Sequence, residues 1–273
     1  MDYSHILLRY GEIFLKGKNK NFFEKKLAQN IKKLVGVSSV TRLRSRFVCE
    51  YIKNHQDLKC VFGLTSYSLA VRVEKDPDMI KQKVIDFVKD LKGTFKIATK
   101  RSDKQFPIGS MDFNIEVGGY VEENTNLAFS FDNPDYLLNI EINQDAAYIF
   151  TESVSCFGGL PTGVEGNVLL LVENEASLLA GVLFMKRGTN IFPIASEEKD
   201  ISLLQQYSPM ALNLVVVKDV DTFAAEKEMD ILVSGQNFER LKKYDTKMLV
   251  LRPLIGFSEE EIIEMLDMYS NSQ

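Results

Sequence analysis

Residues 168–188 read VLLLVENEASLLAGVLFMKRG, a stretch with the outline of a phosphate-binding turn. An apolar strand leads through a short turn into an apolar helix that closes on Lys186-Arg187-Gly188. Many α/β proteins hold a phosphate at the start of such a helix, in a glycine-rich turn. Here the turn contains Glu173, Asn174 and Glu175 instead. The stretch therefore predicts the scaffold of a phosphate site whose carboxylates oppose a phosphate.

The acids of this turn have two interpretations. They could form a new acid/base pair or a cation site. They could also be solvated side chains that cap the following helix, where the helix dipole favours negative charge. The second interpretation requires no further ligands, and the pattern favours it.

Other catalytic patterns are scarce. The two histidines, His5 and His55, are isolated, and no Cys-Xaa-Xaa-Cys or His-Glu-Xaa-Xaa-His run indicates a metal site. No Gly-Xaa-Ser-Xaa-Gly elbow supports serine hydrolysis. Cys156 could be a reactive thiol, but no nearby group would lower its pKa, so an inert, half-buried cysteine is favoured. We expect no metal and no catalytic residue.

Charge is distributed unevenly along the chain. Residues 1–53 carry 12 basic and 4 acidic side chains, whereas residues 156–273 carry 10 basic and 18 acidic ones, in a chain whose net charge is −5. A basic N-terminal part and an acidic C-terminal part favour an anionic partner for the N-terminal part only. Lysines that merely solvate helix faces are the alternative.

The elements that position these residues alternate between strand and helix. Residues 4–74 follow a βαββαβ order typical of a ferredoxin-like unit, with an amphipathic helix over 19–35 and a hairpin turning near Arg44-Ser45. After residue 167, short apolar strands separated by helical segments predict a parallel, doubly wound sheet. Four glycines and one proline between 155 and 166 favour a linker.

The bulk composition excludes several classes of protein. No apolar run reaches the roughly 18 residues of a membrane span, and the first residues lack the basic segment of a secretory signal. Three scattered cysteines argue against a disulfide framework. We expect a cytoplasmic protein with no membrane partner.

Four stretches carry a resemblance to a known family: RYGEIFLKGKNKNFFEKKL (9–27), FKIATKRSDKQFPIGSMDFNIEVGGYV (95–121), GGLPTG (158–163) and LLAGVLFMKRG (178–188). Together they resemble the THUMP-containing tRNA sulfurtransferases, the tRNA 4-thiouridine synthetases that are also linked to thiamine biosynthesis. The resemblance covers essentially the whole chain. It implies a ferredoxin-like domain, a THUMP domain that binds tRNA near its acceptor end, and an ATP-pyrophosphatase domain that adenylates a uridine and delivers sulfur through a cysteine.

The predicted fold class is α/β with an α+β N-terminal part. The predicted domains are a ferredoxin-like domain over 1–75, a THUMP domain over 76–155, a glycine-rich linker over 156–166, and a shortened, doubly wound parallel sheet over 167–273. This last domain is similar to a PP-loop (Rossmann-like) domain and would be degenerate.

The degeneracy begins at the turn described above. Where the family reads Ser-Gly-Gly-Xaa-Asp-Ser, this chain has Val172–Ser177, and only Ser177 matches. The two glycines would let backbone N–H groups close on the phosphates. A carboxylate ~5 Å from a phosphate charge costs about 3 kcal/mol at an effective dielectric of ~20. The acids of this turn therefore oppose nucleotide binding.

Two further departures affect the same site. The family's Thr-Gly-Glu-Ser-Leu-Gly-Gln run is replaced by Ser234–Arg240, which keeps Gly235 but loses the later glycine and glutamine. The segment between Gly188 and Val233 is shorter than the family's and contains no cysteine for sulfur transfer. We expect the adenylation chemistry to be lost. The expected vestiges of nucleotide binding are Ser177, Leu183, Phe184 and Gly235.

The RNA-binding prediction rests on basic side chains beside an exposed ring. In TKRSDKQFP, phosphate contacts are expected from Lys100, Arg101 and Lys104, and a flat apolar surface for a terminal base or ribose from Phe106-Pro107. A glycine-containing loop and the hairpin could extend this track through Lys16, Lys18, Lys20, Arg42, Arg44 and Arg46. Solvated lysines and a core Phe106 are the alternatives.

Three hypotheses follow, in this order. The chain binds tRNA through its first two domains, and the third is a scaffold that could serve dimerisation or position tRNA for a partner enzyme. Alternatively, it is an active ATP-dependent tRNA sulfurtransferase with an atypical loop. In the third hypothesis the acidic last domain docks a sulfur donor or another modification enzyme. Only the second hypothesis requires a cofactor, ATP.

Overall fold

The computed structural model describes residues 2–271 and divides into two compact units. The first unit comprises the chain up to residue 9, residues 39–53 and residues 67–154, and the second comprises residues 10–38, 54–66 and the chain from 155 onwards. This division follows spatial contacts rather than sequence order. The boundaries of the three domains and the linker expected from the sequence therefore remain a prediction.

The first 155 residues alternate strands and helices as expected. The strands are β1 His5–Tyr10, β2 Thr41–Leu43, β3 Arg46–Glu50, β4 Leu64–Val73, β5 Gly93–Arg101, β6 Leu127–Phe129, β7 Tyr136–Ile142, β8 Ala147–Phe150 and β9 Val154–Ser155. The helices are α1 Lys20–Val35, α2 Pro77–Val88 and α3 Ser110–Asn124, with 3₁₀ segments at Glu12–Asn19 and His55–Cys60. The predicted hairpin joins β2 to β3.

These strands form one sheet in the order β2-β3-β1-β4-β8-β7-β5-β6, and β9 pairs with β4. β1 and β3 are antiparallel, whereas β5 is parallel to both β6 and β7. Apolar residues recur every three or four positions in α2 and α3, so each helix buries one stripe against the sheet. The core of the first unit therefore joins Ile80, Val84, Phe95, Phe113 and Val117.

The second unit contains the predicted parallel sheet. Its elements are β10 Asn167–Leu171, α4 Glu175–Lys186, β11 Asn190–Ala195, α5 Ser202–Tyr207, β12 Val215–Val216, α6 Val220–Glu226, β13 Ile231–Ser234, β14 Leu249–Leu251 and α7 Glu259–Ser270. The strand order is β12-β11-β10-β13-β14, with every pair parallel. This order confirms the α/β, doubly wound class. The strands β11 and β12 are added on one side of β10, and β13 and β14 on the other, so the strand order changes direction between β10 and β13. Sheets of this kind bind ligands there, at the carboxyl ends of the strands.

The segment expected to be a linker is packed within the second unit. Leu160 and Thr162 are buried, and the amide of Asn30 in α1 donates a hydrogen bond to the Thr162 carbonyl at 3.0 Å. Gly159 has a φ of 81°, and a Cβ there would lie 3.2 Å from the carbonyl carbon of Lys186. The segment is therefore held against α1 and α4. Within residues 2–271, no helix has the length and apolar character to cross a bilayer.

Candidate nucleic-acid interface and altered nucleotide turn

The turn between β10 and α4 bonds three of its own backbone N–H groups. Asn174 caps α4, because its Oδ1 accepts from the backbone N–H of Ser177 at 3.3 Å. The Ser177 hydroxyl accepts in return from the N–H groups of Glu173 and Asn174, at 3.1 and 3.4 Å. Ser177 is buried, while the side chains of Glu173, Asn174 and Glu175 are exposed. The N–H groups of Glu173, Asn174 and Ser177 are thus already bonded within the turn, and Asn174 provides the cap rather than the acids.

Gly235 has a packing role at the same place. A Cβ on Gly235 would lie 2.6 Å from the carbonyl carbon of Ala176 and from Cα of Ser177. No other residue permits this approach of the β13 end to the first turn of α4. The structure therefore brings Ser177 and Gly235 together, and their proximity has a structural reason that does not involve a nucleotide.

Side chains fill the crevice where β10 and β13 end. The Tyr244 hydroxyl donates to Oε2 of Glu173 at 2.5 Å and lies 2.8 Å from the Ser234 hydroxyl. Burial and the Glu173 carboxylate raise the pKa of Tyr244 to about 12, so the phenol stays a neutral donor. The Arg252 guanidinium lies 5.6 Å from the Tyr244 ring centre, and its Nε donates to Gln236 at 3.0 Å. Residues far apart in sequence thus close this crevice.

The other two residues expected to be vestiges of nucleotide binding do not lie at this turn. Leu183 and Phe184 belong to the last turns of α4, so they follow Ser177 by about 9 Å of helix. Both are half-buried and pack against the apolar core of the second unit. The structure does not bring them to the turn.

Cys156 has the environment of an inert thiol. It is half-buried, and burial raises its pKa to about 12. The protonated thiol is a poor nucleophile at neutral pH. Within the described residues, no group of histidines, cysteines and carboxylates could hold a metal ion.

The prediction that Phe106 forms an exposed aromatic surface for RNA is wrong. Phe106 is 3% exposed and packs edge-on against Phe113, with ring centres 5.2 Å apart. The cause is Arg101, whose Nη1 donates to the carbonyls of Phe106 and Ile108 at 2.7 and 2.9 Å and folds the loop back onto α3. Arg101 therefore organises the loop, while Pro107 remains exposed.

A polar groove in the first unit brings together two other predicted RNA contacts. Arg44 of the hairpin and Lys104 of the loop both line it, and its volume is 370 Å³. Both side chains are exposed, as is that of Lys100 on β5. Lys75 lines the same groove but forms an ion pair with Asp103, and this bond lowers the pKa of the Asp103 carboxyl. We call this feature the Arg44/Lys104 groove.

The third hairpin arginine is already paired. Nε of Arg46 lies 2.8 Å from Oε2 of Glu141, a carboxylate that also pairs with Arg9 at 3.4 Å. The Glu141 side chain is only 4% exposed. Arg46 therefore compensates a buried charge and offers little to a phosphate, whereas Arg42 in β2 is exposed.

The predicted lysines of the glycine-containing loop belong to the second unit. Lys16 lies 3.4 Å from Glu165, and Lys20 lies 3.6 Å from Glu24, so a carboxylate reduces the charge that each presents. Lys18 is exposed.

Sequence reasoning missed several aromatic rings that are exposed in the structure. Phe14, Phe22 and Phe131 are 45%, 55% and 70% exposed. The available signal was local: Phe131 lies in the run FSFDNP, among turn-forming residues. The partnership of Tyr244 with Glu173 had no such signal, because 71 positions separate the two residues.

Comparisons with known proteins show which domains and which family this chain matches. Residues 5–68 match the ThiI ferredoxin-like domain, and residues 74–152 match the THUMP domain. A probable tRNA sulfurtransferase of Mycoplasmopsis synoviae is 36% identical, over 96% of this chain and 83% of the relative. One from Alkaliphilus oremlandii is 32% identical, over 95% and 83%. The chain belongs to the tRNA sulfurtransferase family.

Solved structures agree with this assignment. A Pyrococcus horikoshii protein superposes with a TM-score of 0.83 at 27% identity, over 98% of this chain and 99% of that one. A 4-thiouridine synthetase in complex with RNA and ATP gives 0.81 at 25% identity, over 98% and 85%. The alignment with the Mycoplasmopsis relative has 313 positions, more than the 273 residues of this chain, so the relative carries internal residues that this chain lacks.

Proposed function

We propose that this protein binds tRNA through its ferredoxin-like and THUMP regions and does not adenylate it. Family membership and the RNA complex of a structural neighbour support the tRNA-binding part. In this proposal the exposed Arg44 and Lys104 of the Arg44/Lys104 groove contact phosphates of the acceptor end.

The loss of adenylation rests on the turn over Val172–Ser177. The amide groups of Glu173 and Asn174 are bonded to the Ser177 hydroxyl, the two glycines of the family's turn are replaced, and Tyr244 and Arg252 occupy the adjacent crevice. A triphosphate placed there would meet Glu173 and Glu175 without a lysine or arginine in the turn itself. The parallel sheet is retained because its apolar strands and α4 still form the core of the second unit.

Two measurements test the two parts of this proposal separately. Filter binding with tRNA at low salt should show binding that weakens when the 3′ end is removed. Calorimetry with ATP, with and without tRNA, should show no nucleotide binding. Absence of tRNA binding would contradict the first part of the proposal, and ATP binding in either titration would contradict the second part.

An active ATP-dependent sulfurtransferase is the second candidate, because the relatives carry that name over nearly the whole of this chain. It predicts tRNA-dependent release of pyrophosphate by the pure protein. A third role, docking of a sulfur donor or modification enzyme by the acidic last domain, predicts co-purification that depends on residues 167–273. Dimerisation through this domain would appear as a doubled mass in solution.

A further inference from the structure

An apolar pocket lies on one face of the parallel sheet in the second unit. We call it the β11/α6 pocket; it has a volume of about 290 Å³, and its principal lining residues are Leu169, Phe192, Ile194, Val215, Phe223 and Met229. Phe192 is 39% exposed and Val215 38%, so the apolar surface continues from the pocket to the solvent. Contiguous apolar surface of this kind marks an interaction site in soluble proteins.

The two faces of this sheet differ in their helical cover. Side chains of α4, α5 and α7 pack on the face that carries Val168 and Leu170. Within the described residues, the opposite face, which carries Leu169 and Ile194, packs against one helix, the seven-residue α6. Parallel sheets are normally covered by helices on both faces. The face that forms the pocket is therefore short of helical cover.

This poorly covered face coincides with a shortened part of the chain. The segment between Gly188 and Val233, which is shorter than in the tRNA sulfurtransferases that the sequence resembles, supplies every lining residue of the pocket except Leu169. The Mycoplasmopsis relative also carries internal residues that this chain lacks. The space on this face is therefore open to a helix from another molecule.

The rim of the pocket is acidic. The end of α6 and the turn after it read EKEMD over residues 226–230, and Glu226, Glu228 and Asp230 are all exposed. The basic residue in this run, Lys227, also lines the pocket, so three carboxylates face one ammonium. This balance matches the acidic character of the whole C-terminal part of the chain. Electrostatic complementarity therefore favours a partner with basic side chains around its apolar contact.

We propose that the β11/α6 pocket receives an amphipathic, positively charged helix of a partner protein. A large apolar side chain of that helix enters the pocket against Ile194 and Phe223, and flanking lysines or arginines face Glu226 and Glu228. Addition of a strand is disfavoured, because the edge strand β12 has only two residues, Val215–Val216, and offers few backbone groups for pairing. The proposal is independent of tRNA binding and deepens the docking role considered above for the acidic last domain.

A library of amphipathic helical peptides tests this proposal on the full chain. Each peptide has leucine, phenylalanine or methionine at positions i, i+3, i+4 and i+7, and lysine, glutamine or glutamate at random elsewhere. Mass spectrometry identifies the peptides that the immobilised protein retains, and fluorescence anisotropy measures their affinities. The retained peptides should carry a net positive charge. Replacing their lysines with glutamates should weaken binding about tenfold or more, because like charges then meet at the rim.

Ala211→Trp fills the mouth of the pocket with a ring. Ala211 is an exposed lining residue outside the helices and strands, so its replacement leaves the core intact. It should weaken binding of the retained peptides about tenfold or more. Ala225→Trp is the matched control: Ala225 is exposed on α6 and lies two positions from both Phe223 and Lys227, hence on another face of the helix. It should keep the affinity of the natural protein.

The double variant Glu226→Gln, Glu228→Gln separates the charge from the apolar contact. It should weaken binding of the basic peptides and leave that of their glutamine-substituted forms unchanged, since only the basic peptides lose an attraction. All of these variants should bind tRNA as the natural protein does.

The outcomes separate this proposal from the proposed function. Retention of no peptide, retention of peptides with a net negative charge, or binding that survives Ala211→Trp overturns the docking assignment and leaves tRNA binding intact. If no peptide is retained and Ala211→Trp abolishes a doubled mass in sedimentation, the pocket binds a second copy of the chain, and the partner helix is wrong. If Ala211→Trp abolishes only the binding of 1-anilinonaphthalene-8-sulfonate, the pocket takes a small apolar anion, and the partner helix is again wrong.

Discussion

Gly235 lies so close to Ser177 that a Cβ on Gly235 would be 2.6 Å from the Ser177 Cα. This approach joins the end of β13 to the first turn of α4 at the carboxyl edge of the sheet. A glycine that resembles part of a nucleotide loop is thus also required by backbone packing. Its presence alone therefore carries no information about ATP binding.

Gly235→Ala is expected to destabilise the second unit by about 1–3 kcal/mol, because the new methyl group overlaps backbone atoms that cannot move aside. Gly256→Ala is the matched control, since a Cβ there meets no atom within 4 Å, and it should change stability by less than about 0.5 kcal/mol. Urea unfolding of the two variants measures the difference. Equal stabilities would contradict the close approach.

Tyr244→Phe should lower stability by about 1 kcal/mol at neutral pH, because the hydroxyl bonds to Glu173 and Ser234 are lost. The pKa of Tyr244 is raised from 10.0 to about 12, so the folded state keeps this proton longer than the unfolded state. That stabilisation is complete below about pH 10 and disappears as the pH rises through about 12.

The difference in unfolding free energy between the natural protein and Tyr244→Phe should therefore narrow above about pH 10. Urea titrations at neutral pH and at two alkaline values measure it. A difference that stays constant or widens would contradict the raised pKa of Tyr244 and its hydrogen bond to Glu173.

Much of the fold could be predicted from the sequence because its signals are local. The apolar spacing in 19–35 fixes α1, and the alternation in 94–101 fixes β5. The order of apolar strands after residue 167 was enough to predict a parallel sheet. Periodicity reports which face of an element is buried, and burial drives these elements to pack.

The site was less predictable because its arginines bond to partners that hydrophobic periodicity does not specify. Phe106 lies in a loop with Pro107 and Gly109, which favours exposure, yet Arg101 draws that loop onto the core. Arg46 is a residue type that commonly contacts phosphates, but Glu141, 95 positions away, compensates its charge. No spacing rule predicts which carboxylate or carbonyl a flexible arginine will reach.

Phe106→Ala should destabilise the first unit by about 3–5 kcal/mol, since it removes a ring from the core against Phe113. Pro107→Ala, next to it and exposed, should leave stability within about 1 kcal/mol. Thermal unfolding of both variants provides the comparison. A folded, fully stable Phe106→Ala that binds tRNA more weakly would restore the exposed-platform interpretation.

Arg44→Gln and Arg46→Gln should separate a phosphate contact from a structural ion pair on the same hairpin. Arg44 is exposed in its groove, so its loss should leave stability within about 0.5 kcal/mol. It should reduce the slope of log affinity for tRNA against log salt by about one. Arg46→Gln should instead cost about 2 kcal/mol of stability, because buried Glu141 loses a charged partner.

The salt slope of folded Arg46→Gln should equal that of the natural protein, since the Arg46 charge is already compensated by Glu141. Filter binding over a salt series, with urea unfolding of the same samples, measures both quantities. Lys100→Gln, at an exposed position of β5, serves as a second phosphate-contact variant in the series. Equal slope losses for Arg44→Gln and Arg46→Gln would show that Arg46 leaves Glu141 to contact RNA, and the assignment of Arg46 as a structural residue would then be wrong.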